Sequence, residues 1–288
     1  MKQREHRGRG EAPCLVQAQN ERWWSSNPMT YDWKGKIAEE PLSARWFAVI
    51  DERFVNASVP YTTDRVPFDR IMPDDLRGLR VLEIGCGMGL HTDALVRRGG
   101  DVTAVDLTAF AVRATRARLE LNGLQARVEQ CDAERLPFES QQFDFVWSWG
   151  VIHHSACTTS IVREIARVLT RHGEARVMVY NRDSIVARYH LCRHFLLGGP
   201  VRRETCDEAL WKATDGYMAR YYHREQFDDL FRGFFHNVGT SVLGQESDAI
   251  PLPAPVRQIV ARSLTDQRKR AMAAKRGFFL FTVATEPR

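Results

Sequence analysis

The chain lacks a long apolar run and any paired cysteine motif. No stretch approaches the roughly 18 apolar residues of a membrane-spanning helix, and the N-terminal residues contain no apolar core of a secretory signal. Its six cysteines are scattered without a C-x-x-C pair, which argues against a zinc ribbon or a redox dithiol. Internal repeats are also absent. We therefore expect a soluble protein of the reducing cytoplasm, without membrane contact.

The composition is typical of one large α/β domain or two small domains. The 288 residues are 44% hydrophobic and 10% aromatic, which is enough for a sizeable core. A net charge of +5 makes nucleic acid a partner to consider. Much of the arginine excess is dispersed along predicted helices, as on a solvated face. The basic, glycine-containing start of the chain predicts a disordered tail over residues 1–20, with a nucleic-acid arm as the alternative there.

The strongest signal is a strand, a glycine turn and a helix start at residues 80–90. The segment RVLEIGCGMG (80–89) ends an apolar strand in glycines at alternate positions, 85, 87 and 89. Backbone without Cβ atoms can turn sharply and let a ligand lie against the peptide. An acidic residue, Asp106, follows at the end of the next predicted strand, where it can bind ribose hydroxyls.

Two later segments complete an ordered set. Cys131-Asp132-Ala133-Glu134 ends a further predicted strand, and residues 143–154 carry another strand that leads into His153 and His154. With Glu83 two residues before the first glycine, the four segments resemble the motifs of class I S-adenosylmethionine (SAM)-dependent methyltransferases over about residues 75–182. A nicotinamide-binding Rossmann domain is disfavoured, because its third glycine comes one residue later than Gly89 does here.

The resemblance implies SAM as the cofactor and assigns roles around it. Glu83 would interact with the methionine ammonium, Asp106 with the ribose hydroxyls, and Asp132 with the adenine amino group. Trp149 would either meet the sulfonium through its π face or belong to the core. The complete set of expected cofactor-binding residues is Glu83, Gly85, Cys86, Gly87, Gly89, Asp106, Leu107, Asp132, Ala133 and Trp149.

Alternating strand and helix patterns predict an α/β fold with a doubly wound, mostly parallel seven-stranded sheet. Strands are predicted near 80–84, 101–106, 126–131, 143–149, 174–180, 236–243 and 277–284. Helices are predicted near 41–59, 90–99, 109–122, 158–170, 223–234 and 254–264, with His172-Gly173 ending the fourth of them. The expected divisions are an N-terminal helical and aromatic cap (21–74), a SAM-binding core (75–182), a lid insertion (183–222) and the end of the core (223–288), which has an insertion at about 244–276.

Candidate catalytic residues are His153, His154 and Tyr31. Methyl transfer depends mainly on alignment, and a base is needed only where the nucleophile holds its proton tightly. The histidine pair follows the fourth strand, so one of them is a candidate base or acceptor anchor, and a purely structural pair is the alternative. Tyr31 belongs to the aromatic segment 21–33, which we expect to cover the pocket without forming a long helix, because Asn27-Pro28 interrupts it.

Three residues beyond the fifth strand and in the lid, Tyr180, Arg182 and Tyr217, are candidates for the acceptor pocket. No metal is expected. His190 and His194 would share a helical face, but Cys192 would point away from it and no fourth ligand is evident.

The leading functional hypothesis is methyl transfer to an oxygen, nitrogen or carbon nucleophile of a small molecule such as a secondary metabolite. An RNA or other nucleic-acid methyltransferase is the alternative, disfavoured because the fourth strand ends in Ser148-Trp-Gly-Val151 and not in an N-P-P-Y type of sequence. A SAM-binding protein with a non-methylating role is the third reading. The aromatics of 23–33 could also contact a second copy of the chain in a homo-oligomer.

Overall fold

The computed structural model describes residues 13–31, 35–58, 71–198 and 205–288, and its centre is a mostly parallel sheet. The strands are β1 (Arg80–Ile84), β2 (Asp101–Asp106), β3 (Arg127–Gln130), β4 (Phe143–Trp149), β5 (Leu169–Asn181), β6 (Tyr221–Tyr222), β7 (Phe235–Leu243) and β8 (Phe279–Pro287). They follow the order β3-β2-β1-β4-β5-β8-β7 in the sheet, with β6 pairing alongside β5. Among the described strands, only β8 runs antiparallel to its neighbours, β5 and β7. The predicted doubly wound sheet is confirmed, with the two-residue β6 as an addition.

Helices cover both faces of the sheet. Successive side chains of β1 point to opposite faces of the sheet, as in any strand. Val81 belongs to the hydrophobic cluster that includes residues of the N-terminal segment, and Leu82 belongs to the hydrophobic cluster on the other face. The helices are α1 (Pro13–Ser26), α2 (Ala44–Ser58), α3 (Leu90–Arg97), α4 (Ala109–Leu121), α5 (Thr158–Val168), α6 (Ile185–Gly198), α7 (Cys206–Lys212), α8 (Arg224–Arg232), α9 (Glu246–Ala249), α10 (Ala254–Arg262) and α11 (Asp266–Arg276). Among the described helices, none is long and apolar enough to cross a membrane.

The N-terminal segment differs from its prediction. Residues 13–20, which we assigned to the disordered tail, belong to α1, and the same helix carries Trp23 and Trp24. The prediction was wrong there because α1 has no continuous apolar face: its contacts with the core run through polar side chains, chiefly Gln17 and Asn20. Residues 1–12 of the predicted tail, and Trp33, lie outside the described residues.

The fifth strand begins earlier than predicted. Our assignment of His172-Gly173 as the end of a helix was wrong, because α5 ends at Val168 and both residues lie within β5. Leu169 already has extended backbone and pairs with Phe143. A register shift on β4 between Phe143 and Phe145 then accommodates the additional residues of β5, as in a β-bulge.

Both segments predicted as insertions are largely helical. The stretch 183–222 contains α6, α7 and β6, and the stretch 244–276 contains α9, α10 and α11, of which only α10 was predicted. The start of α7 is stabilised by a capping box between Thr205 and Glu208. The two-residue β6 pairs with the end of β5, so the first insertion returns to the sheet next to Tyr180.

Candidate cofactor-binding and catalytic site

A cavity of about 610 Å³ lies at the carboxyl ends of β1, β2 and β4. Open α/β sheets bind their ligands at this edge. Residues of α1, of the segment 28–54 and of the lid insertion complete its wall. The structure places on this wall the predicted residues Tyr31, Gly85, Cys86, Gly87, Asp106, Leu107, Asp132, Ala133, Trp149, His154 and Tyr180. Five predicted residues, all described, do not line it: Glu83, Gly89, His153, Arg182 and Tyr217.

The glycine turn after β1 presents bare backbone to the cavity. Gly85 has φ +83°, and a Cβ there would lie 2.2 Å from a methyl carbon of Val151, so the turn packs against the protein at this position. Gly87 has φ +54°, yet a Cβ there would meet no protein atom within 4 Å. Because Gly87 lines the cavity, the space beside its backbone is available to a ligand. This cradle fits the close backbone approach that SAM requires.

Asp106, at the end of β2, holds the glycine turn in place. Its Oδ2 accepts from the backbone N of Gly87 at 3.1 Å, and its Oδ1 accepts from the backbone N and the hydroxyl of Thr108 at 2.9 and 3.0 Å. Burial raises the pKa of Asp106, and these hydrogen bonds oppose that shift. Since a carboxylate can accept about four hydrogen bonds, it retains capacity for ribose hydroxyls.

Helix α1 is tied to the site by two amide side chains that the sequence patterns did not identify. Gln17 Nε2 donates to Asp132 Oδ1 at 2.8 Å, and Gln17 Oε1 accepts from the backbone N of Ala156 at 3.2 Å. Asn20 Nδ2 donates to the carbonyl of His154 at 2.7 Å. The Oδ1 of Asn20 is buried at the cavity and has no partner among the described residues. Thus α1 joins the loop after β3 to the loop after β4.

His154 lies in the 3-10 turn Ile152–His154 that follows β4, and its ring is held in one orientation. Its Nδ1 is 2.7 Å from the carbonyl oxygen of Met218, and the Trp24 ring packs edge-on at 5.1 Å between centroids. A carbonyl can only accept, so Nδ1 carries the hydrogen and Nε2 carries the lone pair. Among the described residues Nε2 has no partner. Burial lowers the pKa of His154 to about 4, although the Met218 hydrogen bond opposes this.

His153 is placed differently from its neighbour. Its side chain is fully buried, 4.0 Å from the ring of Tyr180 and 4.1 Å from that of His154 between centroids. Neither ring nitrogen has a hydrogen-bond partner among the described residues. Burial, with a smaller effect of His154, holds the pKa of His153 well below its usual value, so the ring is neutral.

Hydrogen bonds from Arg53 hold the turn that places Tyr31 at the cavity. The residue has φ +58°, a left-handed conformation that is uncommon for a tyrosine. One guanidinium nitrogen of Arg53, on α2, donates to the carbonyls of Tyr31 at 3.2 Å and of Gly35 at 2.7 Å. The tyrosine ring packs against Phe54 at 5.9 Å.

Much of the remaining wall of the cavity is aromatic, beside the polar lid residues His190, Lys212, Thr214 and Asp215. The Tyr180 ring stacks on Phe278 at 4.6 Å, and the Trp149 ring stacks on Trp147 at 5.9 Å with an interplanar angle of 8°. The two other residues proposed for the acceptor pocket hold the lid together instead. Arg182 pairs with Asp207 on α7, and the carbonyl of Tyr217 accepts from Trp211 Nε1 at 2.8 Å.

Glu83 lies behind the wall and His91 lies on it. The Glu83 side chain is 1% exposed, and its Oε2 accepts from the hydroxyl of Thr92 at 2.5 Å. His91, the second residue of α3, lines the cavity with its Nδ1 3.9 Å from Glu83 Oε1. In the sequence, only the position of His91 just after the glycine turn indicated that it could lie at the cavity.

Comparison with known proteins agrees with this geometry. Residues 81–173 match the family described as "Methyltransferase domain". The chain is 31% identical over 134 residues to a "Ubiquinone biosynthesis O-methyltransferase" of Roseobacter denitrificans, covering 44% of this chain and 54% of the relative. It is 34% identical over 103 residues to the protein of the same name from Methylocella silvestris, covering 36% and 40%. The chain thus spans about half the length of the curated relatives it matches.

Solved structures share the fold. The "[4+2]-Cyclase SpnF" superposes with a TM-score of 0.55 at 18% identity, covering 94% of this chain and 96% of that one. The PH0226 protein from Pyrococcus horikoshii gives a TM-score of 0.50 at 18% identity, covering 73% and 82%. Residues 81–173, which contain the glycine cradle and the acidic ends of β2 and β3, thus match a methyltransferase domain, and the sheet has the fold of the class I methyltransferases, for which SAM is the cofactor.

Proposed function

We propose that the chain transfers a methyl group from SAM to a hydroxyl group of a small, partly apolar molecule. The observation that carries the proposal is the orientation of His154 on the cavity wall, with Nδ1 engaged by the carbonyl of Met218 at 2.7 Å. This arrangement reserves Nε2 to accept a proton. The names of the matched relatives, which are O-methyltransferases, support oxygen as the nucleophile.

The residues that we expect to bind the cofactor support this proposal. The bare backbone of Gly87, the carboxylate of Asp106 and the carboxylate of Asp132 line one connected space. When bound, SAM supplies a methyl group that the positive sulfur makes electrophilic. We assign Asp106 to the ribose hydroxyls and Asp132, with Ala133, to the adenine. Gly85 and Gly87 would admit the methionine and ribose portions.

The proton step follows from the state of His154. With a pKa of about 4, the ring is neutral at pH 7 and its Nε2 lone pair can accept a proton, but burial makes it a weaker base than a free imidazole. Nε2 of His154 would take the proton of the acceptor hydroxyl, and SAM would supply the methyl group to its oxygen. His153 is the less suitable member of the pair, because it does not line the cavity.

The acceptor half of the cavity favours a molecule with an apolar body. Its lining includes Tyr31, Met178, Tyr180, Phe278 and Phe279, beside the polar lid residues Lys212, Thr214 and Asp215. Such surfaces bind aromatic or alicyclic groups and exclude water from the reacting atoms. A secondary metabolite with a phenol or enol hydroxyl would suit it. The cytoplasm is the proposed location, supported by the five cysteines whose side chains the structure describes, all of which are free.

Labelling would test this proposal. Methyl-labelled SAM would be incubated with the protein and a fractionated cell extract, and label in a small-molecule ether is the expected result. His154→Asn keeps a donor for the Met218 carbonyl but has no basic nitrogen, and it should lower turnover by ~100-fold while leaving SAM affinity unchanged. His223→Gln is the matched control, because His223 is partly exposed, pairs with Asp183 and lies away from the cavity.

Four outcomes would contradict the proposal. Label in RNA would favour a nucleic-acid methyltransferase, and label on nitrogen or carbon would remove the need for a base. SAM binding without transfer to any acceptor would favour a non-methylating role. Unchanged turnover in His154→Asn would remove His154 from the mechanism.

A further inference from the structure

The insertion before the last strand presents apolar side chains to solvent. Leu252, in the turn before α10, and Val256 and Ile259 on α10 are 40%, 47% and 66% exposed. Their spacing of four and three residues places them along one side of the helix. The opposite side of α10 packs inward through Ala261, which belongs to a buried cluster shared with α9 and α11. The three exposed residues, which we call the α10 stripe, therefore lie on the outside of a packed unit.

The same insertion holds most of the net positive charge of the protein. Residues 244–276 contain seven Lys and Arg residues against three Asp and Glu residues, a net charge of +4, whereas the whole chain carries +5. Arg262 on α10 and Arg268 and Lys275 on α11 are exposed, and none of them forms an ion pair with a described residue. Arg262 comes three positions after Ile259, so its charge lies beside the α10 stripe.

An apolar stripe beside unpaired cations fits the surface of an anionic lipid bilayer. Aliphatic side chains can enter the boundary between headgroups and acyl chains, while Lys and Arg side chains remain at the level of the headgroups. Each cation near such a surface adds an attraction that salt screens. Both interactions are available to α10 in one orientation, because Ile259 and Arg262 share its exposed face.

Two other occupants fit this surface less well. Single-stranded nucleic acid is bound largely by aromatic side chains that stack on bases, and neither α10 nor α11 contains an aromatic residue. A second copy of the chain in a two-fold dimer would bring the same patch against itself, so the positive charges would repel each other. A bilayer with anionic headgroups uses both the apolar and the basic side chains.

The insertion is joined directly to the acceptor half of the cavity. Helix α11 leads through Gly277 into Phe278 and Phe279, which line the cavity. Asp248 on α9 accepts from the backbone N of Phe278 at 3.2 Å, and Nδ2 of Asn181, the last residue of β5, donates to the carbonyl of Gly277 at 2.8 Å. Contact of α10 with a bilayer would therefore be linked, through a short and hydrogen-bonded connection, to the wall that we assign to the acceptor.

We propose that α10 and α11 form a docking surface for an anionic lipid bilayer. The α10 stripe enters the headgroup boundary, and Arg262, Arg268 and Lys275 pair with lipid phosphates. The inference goes beyond the proposed function, because methyl transfer does not require it. The expectation of no membrane contact rested on the absence of a long apolar run, and a peripheral contact needs no such run.

Flotation of the whole chain with lipid vesicles tests the proposal. Vesicles of phosphatidylcholine and phosphatidylglycerol in equal parts should bind the protein about tenfold or more tightly than pure phosphatidylcholine vesicles, and added salt should reduce the difference. Ile259→Ser should lower affinity for the anionic vesicles about tenfold, because it removes apolar area that the bilayer would cover. Leu121→Ser is the matched control, because Leu121 on α4 is 53% exposed and lies outside the insertion. No binding to anionic vesicles, or an equal loss in both variants, would overturn the inference.

A charge variant and two competing partners complete the test. Arg262→Gln should weaken binding to anionic vesicles severalfold, whereas Arg113→Gln, at an exposed position on α4, should not. A dimer that Ile259→Ser dissociates, or RNA binding that Ile259→Ser weakens, in a protein that ignores vesicles would assign the surface to that partner and overturn the inference. Methyl transfer measured in parallel is a separate readout. Its absence would overturn the proposed function, and vesicle binding would still support the docking surface.

Discussion

Gln17 on α1 donates a 2.8 Å hydrogen bond from Nε2 to Oδ1 of Asp132, a residue 115 positions later in the chain. The same Asp132 oxygen also accepts from the backbone N of Glu134 at 2.9 Å. The carboxylate that we assign to adenine is therefore held from two sides, and one of them is the N-terminal helix. Placement of α1 and binding of the cofactor should be coupled through this bond.

Gln17→Ala should weaken binding of S-adenosylhomocysteine. Loss of the bond frees Asp132 and loosens the wall that α1 provides, and about 1 kcal/mol of binding free energy is the expected loss. Arg22→Ala is the matched control, because Arg22 lies exposed on the same helix. Equal dissociation constants for Gln17→Ala and the control, measured by calorimetry, would mean that α1 does not help to form the site.

Asp106→Ala should cut SAM affinity by about 1–3 kcal/mol, because it removes hydrogen bonds from a charged group to ribose and also frees the Gly87 backbone. Asp101→Ala provides the comparison: Asp101 lies exposed at the opposite end of β2. Calorimetric titration of both variants measures the difference. If Asp106→Ala bound SAM as the unaltered protein does, the ribose assignment would have to be withdrawn.

Gly87→Ala and Gly78→Ala separate ligand contact from backbone strain. Both glycines have positive φ, +54° and +78°, and a Cβ at either position would meet no protein atom within 4 Å. Each alanine should therefore lower stability by a similar amount, about 1 kcal/mol. Only Gly87 lines the cavity, so only Gly87→Ala should also abolish SAM binding. Equal SAM affinity in the two variants would show that the ligand does not approach Gly87.

The sequence predicted the central part of the fold almost residue by residue, and the physical reason is local. β1, β2 and β4 occupy the predicted ranges because each is a short buried run bounded by turn residues. β5 did not, because residues 170–172 near its start are polar and partly exposed, and a bulge next to the Phe143–Leu169 pair decides where the strand begins. Register irregularities of this kind depend on the neighbouring strand and leave no pattern in one segment.

The sequence predicted the parts of the cavity wall that lie in a local motif and missed the parts that distant segments bring together. The glycine turn and Asp106 have recognisable sequence signals. The group that orients His154 is the backbone carbonyl of Met218, 64 residues away, and any residue type could supply it. Gln17 and Asn20 were missed for a related reason, because a polar residue on a short helix usually faces solvent. Only the tertiary structure places their amides at the cavity.

Gly216→Ala should lower turnover without changing SAM affinity. A Cβ at position 216 would lie 2.6 Å from Nδ1 of His154, so the imidazole would have to leave the Met218 carbonyl. Gly123→Ala is the control, because Gly123 also has a positive φ, +62°, but a Cβ there would meet nothing within 4 Å. The comparison uses kcat and the SAM dissociation constant of both variants. Similar kcat values would show that the orientation of His154 is not needed for transfer.

Glu83→Gln should stabilise the cofactor-free protein, increasingly so as pH rises. The pKa of Glu83 is about 8 in the folded state and 4.5 for the unperturbed group. Between these pH values Glu83 is protonated in the folded state and ionised in the unfolded state. The free energy of unfolding of the unaltered protein therefore falls by about 1.4 kcal/mol per pH unit through this group. The loss begins near the unfolded pKa and is complete above the folded one. Glutamine has no proton to release, and its carbonyl can still accept from Thr92.

Urea unfolding at several pH values between these limits would measure the effect, with the two proteins compared at each pH. The stability difference between Glu83→Gln and the unaltered protein should widen with pH, whereas Glu52→Gln, at an exposed position on α2, should leave a constant difference. A constant difference for Glu83→Gln as well would mean that the carboxyl group is ionised in the free protein.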